Sequence, residues 1–273
     1  MELLKVDTNL CVKCGLCAAA CPNGIIGLSQ KGPTMLCAAA CIACGHCTAI
    51  CPTGALDNEK APLDKQLPLE TYPVITEKTA AAFLRARRSI RRYKKEKVAK
   101  EKLLLLLDIA RFAPTGCNSQ GVSYIVIEND EKLQKITAET VEWLAERIAD
   151  GTEWAKPFAG IIDIYRQQKV DIVLRDAPHL ILAVAPKNFP LGHDNARLAL
   201  EYVELYATAM GLGTCWAGFA EMAAAAAEPT SALASLMQIP EGFGVVGAMM
   251  LGYPQYTYKR LPDRSPLQVT WVD

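Results

Sequence analysis

One run of cysteines constrains this chain more than any other feature. Cys11-Val-Lys-Cys14-Gly-Leu-Cys17-Ala-Ala-Ala-Cys21-Pro22 returns 30 residues later as Cys41-Ile-Ala-Cys44-Gly-His-Cys47-Thr-Ala-Ile-Cys51-Pro52, and the continuations Asn23-Gly24-Ile25-Ile26 and Thr53-Gly54-Ala55-Leu56 run parallel. Nine of the 11 cysteines lie between Cys11 and Cys51; only Cys117 and Cys215 stand elsewhere. Most of these cysteines are separated by only two or three residues, which does not suit a disulfide framework, so the spacing speaks for metal chemistry. Two copies of a unit too small to bury a core alone imply a pseudo-symmetric module closed around its cofactors.

Each copy has the spacing C-x2-C-x2-C-x3-C-P that binds [4Fe-4S] clusters, in which the fourth cysteine serves the other cluster. Three closely spaced thiolates wrap one cubane while the fourth, on the helical turn that follows, points to its partner. Cys11, Cys14, Cys17 and Cys51 are therefore assigned to one cluster, and Cys41, Cys44, Cys47 and Cys21 to the other. Paired C-x2-C units also bind zinc, but two complete four-cysteine runs exceed one tetrahedral site. Gly15 and Gly45 leave room for the backbone to approach a cluster. Cys37 is read as a small packing residue, with substitute ligation the alternative, and His46 as a loop residue, since Leu16 holds its place in the other copy. Residues 1–57 resemble the two-cluster bacterial ferredoxins, which implies one-electron transfer at low potential.

Residues 58–75 change character: Pro62, Pro68 and Pro73 stand among charged and small residues without periodicity, which reads as a semi-stiff linker. Residues 76–273 form a second domain. Lys and Arg number 29, as do Asp and Glu, so nothing global draws the chain to nucleic acid or to an anionic membrane. The first residues lack a signal-like apolar segment, and the longest apolar runs, such as 243–251, fall short of the roughly 18 residues of a spanning helix. A cytoplasmic protein is expected.

The second domain alternates helices and strands. Thr76 caps a predicted helix to about Arg88, and a second spans 100–112. Short apolar runs at 122–127, 179–185 and 244–251 predict buried strands. A long helix is expected from Asp194, as its cap, to Met210, ended by Gly211 and Gly213. Ala223 to Ala227 suits a helix.

The basic run from Arg85 to Lys97 ends the first of these helices. Without interleaved aromatics it is a poor nucleic-acid patch, whereas forked arginines beside the Ser89 hydroxyl suit a phosphate dianion. Arg87-Arg88-Ser89-Ile90-Arg91-Arg92-Tyr93 resembles the opening motif of the nitroreductase family of flavoproteins. Ala113-Pro114-Thr115-Gly116-Cys117-Asn118-Ser119-Gln120 is similar to the family's second flavin-binding segment. Ala177-Pro178, Gly211 to Gly218, and Gly252-Tyr253-Pro254 with Arg260 and Arg264 agree in order.

This resemblance implies an α+β, nitroreductase-like FMN domain following the ferredoxin-like 2[4Fe-4S] domain. It further implies an intertwined homodimer with FMN sites at its interface. Arg87, Arg88, Ser89 and Arg91 then hold the FMN phosphate and ribityl chain, with Arg260 and Arg264 closing from the tail. Pro114, Thr115, Gly116 and Asn118 approach from the other subunit. Trp216, Ala217 and Gly218 line the flavin, one backbone N–H of that loop serving N5. The family commonly continues Asn-Ser-Gln with Pro-Trp; here Gly121-Val122 follows, which puts the substrate analogy in question. Cys117 and Cys215 are read as lining, and His193 as non-catalytic. Trp143, Trp154, Phe158 and Tyr165 either shape a substrate opening or simply pack.

The function these features imply is an FMN-dependent iron–sulfur oxidoreductase. Electrons from an external low-potential donor of ferredoxin or flavodoxin type pass through two [4Fe-4S] clusters and FMN to a small conjugated acceptor, such as a nitroaromatic or quinone. The alternatives are NAD(P)H-driven flavin reduction with electrons exported through the clusters, and a non-catalytic electron-transfer flavoprotein.

Overall fold

A computed structural model describes residues 2–69 and 73–272; Met1, Asp273 and residues 70–72 of the predicted linker lie outside the described residues. The chain divides into two compact units, Met1–Val74 with Cys117–Ser119, and Ile75–Gly116 with Gln120–Asp273.

In the first unit, strand β1 (Leu4–Val6) leads to a single-turn helix α1 (Leu16–Ala19), a hairpin of β2 (Ile26–Ser29) and β3 (Gly32–Met35), a second single-turn helix α2 (His46–Ala49) and β4 (Leu56–Asn58). β4 turns back antiparallel to β1, pairing Leu4 with Asn58, so a strand lies where the linker was expected to begin. The repeat in the sequence is a repeat in the backbone. Gly15 (φ 79°) and Gly45 (φ 73°) each open a single-turn helix in the left-handed conformation, where a side chain would be strained. Lys13 and Ala43, also 30 residues apart, share positive φ. Leu4, Ile25, Ile26 and Leu56 with Cys17 and Cys47 make a small core. So few apolar side chains bury little surface, and a unit of this size ordinarily needs further cross-links or metals to hold.

The second unit comprises α3 (Glu77–Ala86), α4 (Lys100–Ala110), β5 (Ser123–Ile127), α5 (Asp130–Ala149), α6 (Ala159–Gln168), β6 (His179–Pro186), α7 (Gly192–Ala209), β7 (Gly213–Trp216), α8 (Gly218–Ala226), α9 (Ala232–Met237) and β8 (Phe243–Gly252). Its strands form one antiparallel sheet in the order β5-β6-β8-β7. β6 shows no polar alternation because both of its faces are covered. Leu180, Leu182 and Val184 face one core with residues of α5, α6, α8 and α9, while Ile181, Ala183 and Ala185 face another with residues of α4 and α7. That is an α+β arrangement, as expected.

Boundaries moved for identifiable reasons. α3 is capped by Thr76, whose side chain accepts the Thr79 N–H, but it stops at Ala86 because Arg87 turns extended. α7 begins at Gly192, entered through a turn in which the Gly192 N–H meets the Phe189 carbonyl, so Asp194 sits in the first turn and is not the cap. No helix among the described residues is long and apolar enough to cross a membrane.

Candidate cofactor sites

Two open cavities lie in the first unit. One is lined by Cys11, Cys14, Cys17 and Cys51; the other by Cys21, Cys41, Cys44 and Cys47. In each cavity the four cysteines line one common volume, as a polynuclear cluster requires of its thiolates. The donor set fits such a group in number and kind. Burial pushes the Cys17 and Cys47 thiols up, a cost that iron's positive charge offsets when it takes the thiolate. Burial also acts on Cys51, but hydrogen bonds from Thr53, Ala55 and Leu56 outweigh it and bring that thiol down. Cys37 is exposed and lines neither cavity. His46 lines neither.

In the second unit the basic segment lies along the sheet. Ser89 forms a parallel bridge with Thr214 of β7, and the Ile90 N–H donates to the Thr214 carbonyl at 2.8 Å. Tyr93 bridges Pro254 after β8, and its buried hydroxyl donates to the Ile90 carbonyl at 2.6 Å. This lacing sets Arg87, Arg88 and Ser89 beside the strand that ends in Trp216. Arg88 donates from Nη2 to the Arg260 carbonyl at 3.0 Å and stands 5.8 Å from the Tyr258 ring centroid, drawing part of the tail to the segment. Arg264 lies further along the exposed tail, its backbone N–H on Asp263.

Three guanidinium groups thus share a region, but their partners differ. Arg87 is paired with Glu204 of α7 at 2.9 Å, whereas neither Arg88 nor Arg91 has a carboxylate partner among the described residues. The latter two fit an incoming phosphate best. At the other edge, the Trp216 indole N–H donates to the Glu221 carboxylate, which holds the ring, and the Ala217 N–H donates to the Ala248 carbonyl at 2.8 Å. Ala217 is therefore spent as a donor to a flavin ring.

The segment expected to meet the flavin from a second subunit is spread differently. The Gly116 N–H donates to Asn195 Oδ1 at 3.1 Å, and Thr115 Oγ1 accepts from the Gln120 N–H. Thr115 edges a cavity of about 150 Å³ with Gln120, Tyr124 and Asn195. Pro114 precedes this turn. Asn118 groups with the first unit, where its amide donates to the Ile42 and Ala43 carbonyls at 3.0 Å each. Cys117, Asn118, Gln120 and Gly121 all have positive φ. Proline cannot adopt the +58° of Gly121, so the backbone here excludes it.

Trp143, Trp154, Phe158 and Phe219 form a chain of ring contacts with centroids 5.9, 6.5 and 4.9 Å apart. Trp143, Phe158 and Tyr165 pack on the core, which favours packing over an opening for those three, while Trp154 is exposed. His193 is exposed at the start of α7. Sequence reading missed Glu204 and Asn58. Glu204 is an acid on a mostly apolar buried helix face that also holds Asn195; Asn58, only 2 % exposed, stands in the second copy where Leu28 stands in the first.

The family model described as Nitroreductase family matches residues 84–253, and that of the 4Fe-4S dicluster domain matches residues 10–56. An iodotyrosine deiodinase from Thermotoga neapolitana is 30% identical over 143 residues, 47% of this chain and 67% of that protein. Two solved nitroreductases with bound FMN cover 73% of this chain and 100% of their own. The one from Bacteroides fragilis is 20% identical with a TM-score of 0.58, and the one from Desulfitobacterium hafniense is 23% identical with a TM-score of 0.57. The cysteine repeat and the laced basic segment thus sit in the two regions these matches cover, and the molecule is of the oxidoreductase class. The chain belongs to the nitroreductase family and carries a 4Fe-4S dicluster domain ahead of its nitroreductase domain.

Proposed function

We propose that this protein is an FMN-dependent iron–sulfur oxidoreductase that passes electrons between two [4Fe-4S] clusters and FMN and reduces a small conjugated organic acceptor. The observation that carries it is the partition of eight cysteines into two fours around two separate cavities, in a chain whose second unit offers Arg88 and Arg91, bonded to backbone carbonyls and without a carboxylate partner among the described residues. When bound, the clusters supply one-electron centres and FMN a two-electron centre, so single-electron supply can serve two-electron chemistry.

The chain's own residues do the rest. Cys11, Cys14, Cys17 and Cys51 hold one cluster, and Cys21, Cys41, Cys44 and Cys47 the other. Arg88, Arg91 and Ser89 bind the phosphate end of FMN, Arg87 lies behind them, and Arg260 and Arg264 close from the tail. Trp216, Ala217 and Gly218 wall the ring, and Pro114, Thr115, Gly116 and Asn118 meet it from a second subunit. That homodimer is supported by exposed apolar surface on the second unit: Leu198, Tyr202 and Tyr206 stripe α7 at every fourth residue, and the tail exposes Leu267 and Trp271. The protein needs no obligatory acid or base; it positions the acceptor over the flavin.

Anaerobic purification with iron, sulfide and flavin analysis, followed by reductive titration, tests the reading. Two cubanes and one FMN per chain, all reduced by a low-potential protein carrier and reoxidised by a nitroaromatic or quinone, is the expected result. Colourless protein after reconstitution, or zinc alone, overturns it. Fast flavin bleaching by NADH with no carrier present moves the source of electrons to the nicotinamide.

A further inference from the structure

The two cluster cavities are related by the internal repeat, yet one carries a donor that the other lacks. Asn58 ends β4 and lines the cavity of Cys21, Cys41, Cys44 and Cys47. Its repeat partner, Leu28, lines the cavity of Cys11, Cys14, Cys17 and Cys51 with an aliphatic side chain. The Asn58 amide is oriented without ambiguity. Its Oδ1 accepts the Lys60 N–H at 3.0 Å, which leaves Nδ2 as the end turned inward, 3.8 Å from both Cys41 Sγ and Cys47 Sγ. Being 2 % exposed, it cannot trade these sulfurs for water.

We propose that Asn58 tunes the cluster held by Cys21, Cys41, Cys44 and Cys47, raising its reduction potential by donating to two of its thiolates. The inference rests on the cluster reading above. An N–H aimed at sulfur is held more strongly as the ligand set gains negative charge, so it favours the reduced form, and burial concentrates the effect. The first cavity has other donors: the Ala55 N–H lies 3.3 Å from Cys51 Sγ and the Thr53 hydroxyl 3.8 Å. The order of the two potentials is therefore not set by Asn58; the position of one of them is.

The test is a potentiometric titration of the loaded protein followed by electron paramagnetic resonance, comparing wild type with Asn58→Leu. The expected result is a negative shift of one cluster's midpoint while the other stays. About a threefold fall in its reduced-to-oxidised ratio at fixed potential is expected, roughly 30 mV at 59 mV per tenfold. Asn58→Asp is isosteric and can still accept from Lys60, yet it offers sulfur no donor, so it must shift the same midpoint the same way. It carries the test if the leucine variant loses iron. Full iron and sulfide with both midpoints unmoved, or with both moving together, overturns the role of Asn58 alone. Wild-type protein that binds no cubane overturns the cluster reading and this proposal with it.

Discussion

Arg87 and Glu204 meet at 2.9 Å across 117 residues of sequence, one just after α3 and the other on α7, and the Thr214 hydroxyl donates to the same carboxylate oxygen at 3.2 Å. The pair is partly buried, with side chains 23% and 12% exposed. It ties the basic segment to the helix behind the sheet. A charge left there without its partner is costly, so Glu204→Ala should lower stability by about 2 kcal/mol, less than a fully buried pair would lose because solvent reaches Arg87. Chemical denaturation measures it; an unchanged midpoint shows the pair to be ornamental.

The same pairing separates the arginines. Among the described residues Arg88 and Arg91 have no carboxylate partner, so each should matter more to an anionic ligand than to the fold. Arg88→Gln and Arg91→Gln should each weaken FMN binding by about tenfold, roughly 1.4 kcal/mol, with the denaturation midpoint held. Arg87→Gln should do the reverse. Flavin fluorescence titrations alongside denaturation curves decide it, and equal losses of affinity in all three variants would contradict the division.

What could be read from the sequence followed from how local each signal is. The cysteine spacing and its 30-residue return need only short-range geometry, and the backbone repeats at Gly15 and Gly45 accordingly. β6 was legible because burial on both faces leaves an uninterrupted apolar run. α5 was missed, since its buried face includes Thr137 and Thr140 among the aliphatics and blurs the helical period. Asn58 looked like the first residue of a linker because nothing near it in sequence announces the sulfurs it faces. Glu204 likewise acquires meaning only through Arg87 and Thr214, and no periodicity reports a partner brought by the fold.

Gly121 is held by two independent constraints. Its φ is +58°, and a Cβ built there would lie 2.8 Å from Phe189 Cε1. Gly121→Ala should therefore destabilise by about 1–2 kcal/mol, from strain and contact together. Phe189→Ala in the same chain should relieve the contact but not the backbone strain, recovering part of the loss. Gly121→Pro, whose ring fixes φ near about −65°, should be worse than alanine. Thermal midpoints of the three variants against their parents are the measurement, and a proline variant as stable as wild type would mean that the loop reorganises freely.

Cys215 ends up inside the core of the second unit, and burial, the largest influence on it, pushes its thiol up. A thiol so placed forms little thiolate and cannot be reached. In native protein, alkylation at Cys215 should occur no faster than global unfolding, while exposed Cys37 reacts at once. Peptide mass spectrometry over a time course reads both. Prompt labelling of Cys215 would reopen a redox role for that thiol.

His179 gives the fold a pH dependence whose sign can be worked out. Its ring is fully buried at the start of β6, and Nε2 accepts the Val98 N–H at 2.9 Å, so the imidazole is neutral with its proton on Nδ1. Among the described residues Nδ1 has no hydrogen-bond partner; Glu128 stands 3.9 Å off. Burial, outweighing the nearby Glu128, depresses the ring below its ordinary 6.5. Above that value both folded and unfolded chains carry the neutral ring, and the full stability is present. As pH falls through 6.5 the unfolded chain takes up the proton first, so stability declines until the folded-state value is reached, by at most about 1.4 kcal/mol per pH unit. Comparing denaturation midpoints of wild type and His179→Gln between pH 8 and 5 isolates this contribution. The variant keeps an acceptor for Val98 and should show a shallower acid slope; identical slopes would mean that the ring does not titrate on unfolding.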